Sequence, residues 1–111
     1  MGAGAEQRRD VRVKLHCTIS VRFGDQQVQG ETDNVSVRGV MVSVPEDTPL
    51  ERGDEVEVEF TLPGASAATR CAATVRWSSQ VLPGVLGLEF KAALDPSTAA
   101  ILDQHARDQG A

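Results

Sequence analysis

The chain has 111 residues, 41% of them hydrophobic and 24% charged, a composition that fits one folded domain with a modest apolar core. A formal net charge of −5 at pH 7 disfavours a general DNA- or RNA-binding protein, because such proteins need a broad basic surface. We therefore expect a single domain over residues 1–111, with its core over about residues 7–107 and a flexible segment over residues 1–12.

Cysteine usage and hydropathy bear on the compartment. Cys17 and Cys71 are too few for a disulfide framework, and their spacing fits no metal-binding motif. No apolar run approaches the length that spans a membrane, and the sequence has no signal-peptide pattern. We expect a cytoplasmic protein with no metal site and no membrane insertion.

The first predicted element is a long β-strand over residues 13–23. Every odd-numbered residue of this segment is apolar and every even-numbered residue is polar. Such alternation predicts a strand with one face buried and the other exposed to water. Gly24 and Asp25 then indicate a turn.

Five shorter strands are predicted after this turn. The clearest is residues 55–62, where apolar side chains alternate with glutamate and threonine. In the strand that begins at Thr69, the same alternation predicts four core residues: Cys71, Ala73, Val75 and Trp77. The five segments are residues 28–32, 40–44, 55–62, 69–77 and 85–90.

A short helix is predicted after the last strand. Asp95 suits the N-cap position and Pro96 suits the first turn. Apolar residues at helical spacing follow: Ala99, Ile101, Leu102 and Ala106. Six short strands and one terminal helix predict an all-β fold, a small antiparallel β-barrel closed by a short C-terminal α-helix.

No arrangement of residues in the sequence predicts catalysis. His16 falls on the polar face of the first strand and His105 falls in the terminal helix, and neither has a neighbour that suggests a catalytic pair. Cys17 and Cys71 fall at the apolar positions of their alternating strands, which is typical of core cysteines. The acidic run over residues 54–59 is the outer face of a strand. We expect no catalytic residues, and so a protein that is not an enzyme.

An arginine cluster precedes the first strand: Arg8, Arg9 and Arg12. Residues 1–14 carry a net charge of about +2 on an otherwise acidic chain, which suits a compact anionic ligand better than a long polyanion. A guanidinium can bond two oxygens of one phosphate and can also stack on a purine. The alternative is that these arginines only keep the terminus soluble.

A second polar cluster is the segment Asn34-Val35-Ser36-Val37-Arg38-Gly39 between two strands. Asn and Ser side chains bond nearby backbone and fix turns, and glycine permits close backbone approach. The segment is therefore either a well-made turn or the polar edge of a pocket, with Asn34 and Ser36 as hydrogen-bonding groups.

The two clusters in this order resemble the motifs of the PilZ domain family. The resemblance is carried by Arg8 and Arg12, spaced as Arg-x-x-x-Arg, and by the Asn-x-Ser-x-x-Gly segment about twenty-two residues later. It extends from about Gln7 to about Arg107. Three later segments are also similar: the predicted turn Arg52-Gly53-Asp54 before a strand, Ala73-Thr74-Val75-Arg76-Trp77 and Gly87-Leu88-Glu89-Phe90.

The resemblance implies a six- or seven-stranded barrel that binds the bacterial second messenger cyclic di-GMP and needs no cofactor. Arg8 and Arg12 would clamp phosphates and guanine edges, and Arg9 would assist or stack. Asn34 and Ser36 would contact a guanine, and Gly39 would hold the turn open. Trp77 is either a further ligand contact or a core residue.

The resemblance also implies a signalling role. Binding would reshape the arginine segment, and a protein partner would respond, in motility or biofilm regulation. The alternative is a PilZ-like interaction adaptor with little or no nucleotide affinity, which Asn34 keeps open because aspartate is commoner there. An oligonucleotide-binding barrel is disfavoured, since only 4% of the residues are aromatic.

Overall fold

Alternating apolar and polar residues form most of the strands, as the sequence predicts. The structure, a computed structural model, describes residues 12–110, and this range contains seven β-strands and one α-helix. The elements are β1 (Val13–Lys14), β2 (Thr18–Phe23), β3 (Gln26–Val35), β4 (Gly39–Ser43), β5 (Glu55–Phe60), β6 (Thr69–Ser78), β7 (Val85–Phe90) and α1 (Pro96–Asp108).

Six of the strands close into an antiparallel barrel. Their order is β3-β2-β5-β6-β7-β4, and pairing between β3 and β4 closes the ring. The seventh strand, β1, adds to the far end of β3 through the pairs Val13 with Val35 and Lys14 with Asn34. The prediction of an all-β, six- or seven-stranded barrel with a short C-terminal helix is confirmed.

Inward-facing aliphatic side chains fill the barrel. Val56, Val58 and Phe60 of β5 are at most 4% exposed, so the predicted phase of this strand is confirmed. The rings of Phe60 and Phe90 stack with their centroids 6.1 Å apart. Burial of such side chains is the main favourable term in the folding of a domain this small.

The predicted strand over residues 13–23 is wrong as one continuous element. The segment breaks at residues 15–17, and β1 and β2 pair with β3 in registers that differ by one residue. The buried Thr32 occupies the break, because its hydroxyl donates to the Leu15 carbonyl at 2.5 Å and accepts from the Cys17 N–H at 2.9 Å. A side chain therefore replaces one pair of ladder bonds.

The predicted core positions in β6 are only partly right. Ala73 and Val75 are fully buried, but Trp77 is 41% exposed, because the β6–β7 register shifts between Val75 and Trp77. One extra residue in a strand moves the next side chain to the other face. Cys71 is half-buried, and burial raises the pKa of its thiol to about 11, so this cysteine is a weak nucleophile at neutral pH.

The helix begins where the sequence predicts. Asp95 is the N-cap and accepts a hydrogen bond from the Thr98 N–H at 3.2 Å, and a proline occupies the first turn. Leu102 is buried in the core cluster. At the other end of α1, the Gln109 side chain bonds the backbone of Lys14, accepting from its N–H at 3.2 Å and donating to its carbonyl at 2.7 Å.

Candidate ligand-binding site

The predicted turn over residues 34–39 begins two residues later than expected, because β3 extends to Val35. The Ser36 N–H donates to the Gly39 carbonyl at 2.8 Å. The Ser36 hydroxyl accepts from the N–H groups of Arg38 and Gly39, both at 3.1 Å, and the residue is only 1% exposed. Ser36 therefore fixes the turn, as one of the two sequence interpretations requires.

Gly39 is required by the close approach of β4 to β7. Gly39 pairs with Glu89, and a Cβ atom at Gly39 would lie 2.2 Å from the Leu88 carbonyl oxygen. No side chain fits at that distance. Gly39 thus brings the turn of Ser36 against β7, where other polar residues lie.

Arg12 and Asn34 join the two sequence motifs directly. The Arg12 Nη1 donates to the Asn34 Oδ1 at 2.8 Å, across the short β1–β3 pairing. The Asn34 Nδ2 lies 3.2 Å from the Met41 sulfur. Residues that are 22 positions apart in the chain are therefore in contact at one edge of the barrel.

A cleft of about 320 Å³ opens beside this contact, and we call it the arginine cleft. Four of the residues predicted for the site line it: Arg12, Ser36, Gly39 and Trp77. Asn34 meets the cleft through its hydrogen bond to Arg12. The remaining lining residues are Arg38, Arg76, Gly87, Leu88 and Glu89. Arg8 and Arg9 lie outside the described residues.

Trp77 lies in the cleft because of the register shift in β6. Its indole packs on Gly87, where a Cβ atom would lie 2.2 Å from the indole Nε1. Gly87 of β7 therefore contacts the five-membered ring of the indole directly. Since the residue is 41% exposed, the indole offers an apolar surface to a ligand in the cleft.

Arg76 and Glu89 form an ion pair in the cleft, through the Arg76 Nε and the Glu89 Oε1. Their side chains are 63% and 41% exposed. The sequence motifs do not mark Arg38, Arg76 or Glu89 as site residues. In the sequence, Arg76 and Glu89 look like ordinary outward-facing charges, and only the cross-strand register brings them together.

The histidines are engaged by backbone carbonyls away from the cleft. The His16 Nδ1 lies 3.1 Å from the Thr32 oxygen, and the His105 Nε2 lies 2.6 Å from the Pro63 oxygen. Within residues 12–110, no group of three or more His, Cys, Asp or Glu side chains is arranged to hold a metal ion. In that same range, no helix is long and apolar enough to cross a membrane.

Comparison with known proteins identifies the family. The model of the PilZ domain family matches residues 6–107. The solved structure of the Bacillus subtilis inhibitor of motility, MotI/DgrA, has a similar fold, with a TM-score of 0.75 and 18% sequence identity. The match covers 92% of this chain and 51% of that one, so this chain spans about half the length of MotI/DgrA. No curated protein matches the sequence. The family match covers most of the chain, and the chain belongs to the PilZ domain family.

Proposed function

We propose that this PilZ domain is a receptor for cyclic di-GMP that signals through a protein partner and catalyses no reaction. PilZ domains are receptor and adaptor domains. The observation that carries the proposal is the contact between the two motifs, in which Arg12 bonds Asn34 and shares one cleft with Ser36 and Trp77.

The charge and the volume of the arginine cleft both support a small anionic ligand. Among the described residues that line the cleft, three are arginines and one is a glutamate: Arg12, Arg38, Arg76 and Glu89. Their net charge of +2 matches the two phosphodiesters of a cyclic dinucleotide. The volume of about 320 Å³ is within the range of small-molecule sites.

We assign direct contacts to Arg12 and Trp77. A guanidinium has five N–H donors, so Arg12 can keep its bond to Asn34 and still bind a phosphate. The exposed face of Trp77 can stack on a base. Arg8 and Arg9 remain part of the proposed clamp on their sequence motif alone.

We assign a positioning role to Ser36. Its hydroxyl is buried and accepts two backbone N–H groups of the turn, so it holds the backbone beside the cleft. Asn34 has a similar role, because its carboxamide oxygen orients the Arg12 side chain. The proposed partner then recognises the surface that the ligand and the arginine segment form together.

Isothermal titration calorimetry with cyclic di-GMP tests the proposal. We expect saturable binding at micromolar concentrations. Arg12→Ala should cost about 1.5–3 kcal/mol of binding free energy, the range for hydrogen bonds to charged groups. Arg22→Ala is the matched control, since Arg22 is exposed on β2, outside the cleft, and its guanidinium bonds the Gln27 side chain. Absence of heat at tens of micromolar ligand would refute the proposal.

A second candidate is an adaptor that binds a protein without the nucleotide. Among the described residues, the exposed large apolar side chains are all in one segment of the chain: Trp77, Val81 and Leu82. The Ser79 hydroxyl accepts from the N–H groups of Val81 and Leu82, which orders the loop that presents them. Co-purification of a partner that is lost in Leu82→Ser and indifferent to cyclic di-GMP would favour this candidate.

A further inference from the structure

The bulge in β6 produces a donor–acceptor pair at the mouth of the arginine cleft. Arg76 is the extra residue between the paired positions Val75 and Trp77, and it has no opposite residue in β7. Its Nε bonds the Oε1 of Glu89, which pairs with Thr74 in the ladder. Both side chains line the cleft and both are well exposed.

The pair leaves hydrogen-bonding capacity for a ligand. Arg76 uses its Nε on Glu89 and keeps the N–H groups of its two terminal nitrogens. Glu89 uses one carboxylate oxygen and keeps the lone pairs of the other. Unused donors of Arg76 therefore lie beside unused acceptors of Glu89, and both are available to a third group.

The donors of Arg76 and the acceptors of Glu89 match guanine better than adenine. Guanine presents acceptors at O6 and N7, and donors at N1–H and the 2-amino group, so an arginine suits the first edge and a carboxylate suits the second. Adenine presents a 6-amino donor in place of O6 and has no 2-amino group. Adenine therefore offers a carboxylate one donor group, the 6-amino group, where guanine offers two, N1–H and the 2-amino group, so adenine would make fewer bonds to Glu89.

Asn34 alone cannot accept from both guanine donors, because Arg12 uses one of the two lone pairs of the Asn34 Oδ1. The Asn34 Nδ2 faces the Met41 sulfur. Among the described residues that line the cleft, Glu89 is the carboxylate. Trp77 is adjacent to Arg76 in the chain and also lines the cleft.

We infer that Arg76 and Glu89 together select guanine, with Glu89 accepting from N1–H and the 2-amino group and Arg76 donating to O6. The inference rests on the proposed function, since it names the residues that give the cleft its base specificity. Glu89 acts by direct contact with the ligand, and its pairing with Arg76 offsets the repulsion between a carboxylate and the phosphates.

Binding of three cyclic dinucleotides tests this assignment. The ligands are cyclic di-GMP, its inosine analogue, which lacks the 2-amino groups, and cyclic di-AMP. Titration calorimetry with the wild-type protein should give affinity for cyclic di-GMP roughly tenfold or more above that for the inosine analogue, and weaker binding still for cyclic di-AMP. Glu89→Gln should lose roughly tenfold in cyclic di-GMP affinity and lose the preference over the inosine analogue.

Glu57→Gln is the matched control, because Glu57 is an exposed carboxylate on β5 outside the cleft, and it should keep both affinities. A wild-type protein that binds both guanine and inosine ligands equally, or a Glu89→Gln variant that keeps the preference, would overturn the inference alone. A wild-type protein that binds none of the three ligands would overturn the proposed function as well. The wild-type comparison needs no variant, so it stays decisive if Glu89→Gln folds poorly.

Discussion

The interior of the barrel and the wall of the arginine cleft differ in how regularly side chains alternate along the strands. In the interior, strict alternation turns side chains such as Val58 and Phe60 inward, and they are almost wholly buried. Along the cleft, alternation fails. The ladder shifts register between Val75 and Trp77, and again between Thr32 and Asn34.

This difference shows where a small barrel can hold a site without loss of its core. Each register shift re-aims the residues beyond it while the inward-facing neighbours keep their places. Trp77 and Asn34 each directly follow a shift, and both lie at or beside the cleft. Stability and recognition thus depend on different residues of the same strands, and substitutions should separate them.

Phe60→Ala should give the largest effect and should act on stability. Removal of a 2%-exposed phenylalanine that stacks on Phe90 leaves a cavity, and such changes cost about 3–5 kcal/mol in the free energy of unfolding. Urea denaturation followed by circular dichroism measures the loss. Phe23→Ala is the control, because Phe23 is only half-buried and should cost less. Equal losses for the two variants would contradict the assignment of Phe60 to the buried interior.

Trp77→Ala should give a smaller effect, on ligand binding. The exposed indole packs on the Gly87 backbone, so we expect a modest change in stability and a loss of about 1–3 kcal/mol in binding free energy, the range for base stacking on an aromatic ring. Calorimetry with cyclic di-GMP checks the binding loss. Val81→Ala, at a residue 83% exposed and outside the cleft, should leave affinity unchanged. A Trp77 variant as unstable as Phe60→Ala would show that the ring belongs to the core.

Asp95 should give the smallest effect, a contribution to stability that is lost in acid. Hydrogen bonds from the Ser97 hydroxyl, the Thr98 hydroxyl and the Thr98 N–H lower the pKa of Asp95 to about 2. Because the folded pKa lies below the unfolded value of about 3.9, the contribution is complete above about pH 4 and is lost as the pH falls toward 2.

Asp95→Asn should therefore flatten the acid limb of the stability curve, measured by thermal unfolding at about pH 2 to 5. The lost stability belongs to the start of α1, which lies outside both the interior and the cleft. Cyclic di-GMP affinity near neutral pH should thus match that of the wild type. A variant with the same acid sensitivity as the wild type would contradict this account of Asp95.

Much of the barrel can be predicted from local patterns in the sequence. The phase of β5, the N-cap at Asp95 and the turn at Arg52-Gly53-Asp54 each depend on residues that are close in the chain, and the structure has all three. Close spacing is the information that periodicity and turn chemistry report. The break between β1 and β2 escaped prediction because its cause, Thr32, lies on another strand.

The residues of the site likewise divide into those that the sequence predicts and those that it does not. Arg12, Ser36 and Gly39 are recognisable by their spacing, and they line one cleft. The predicted burial of Trp77 is wrong, because a single inserted residue in β6 turns the next side chains to the other face and leaves the pattern of apolar residues unchanged. Arg76 and Glu89 are adjacent only through the pairing of β6 with β7. Such neighbours are visible only in three dimensions.

The bonds from Gln109 to the Lys14 backbone bring the two ends of the fold side by side. A domain with adjoining ends can be spliced into a surface loop of a host protein without stretching either connection. It can equally be joined end to end and reopened at a hairpin. The contact made by the Gln109 carboxamide therefore makes this barrel suitable for circular permutation and for the construction of biosensors by insertion.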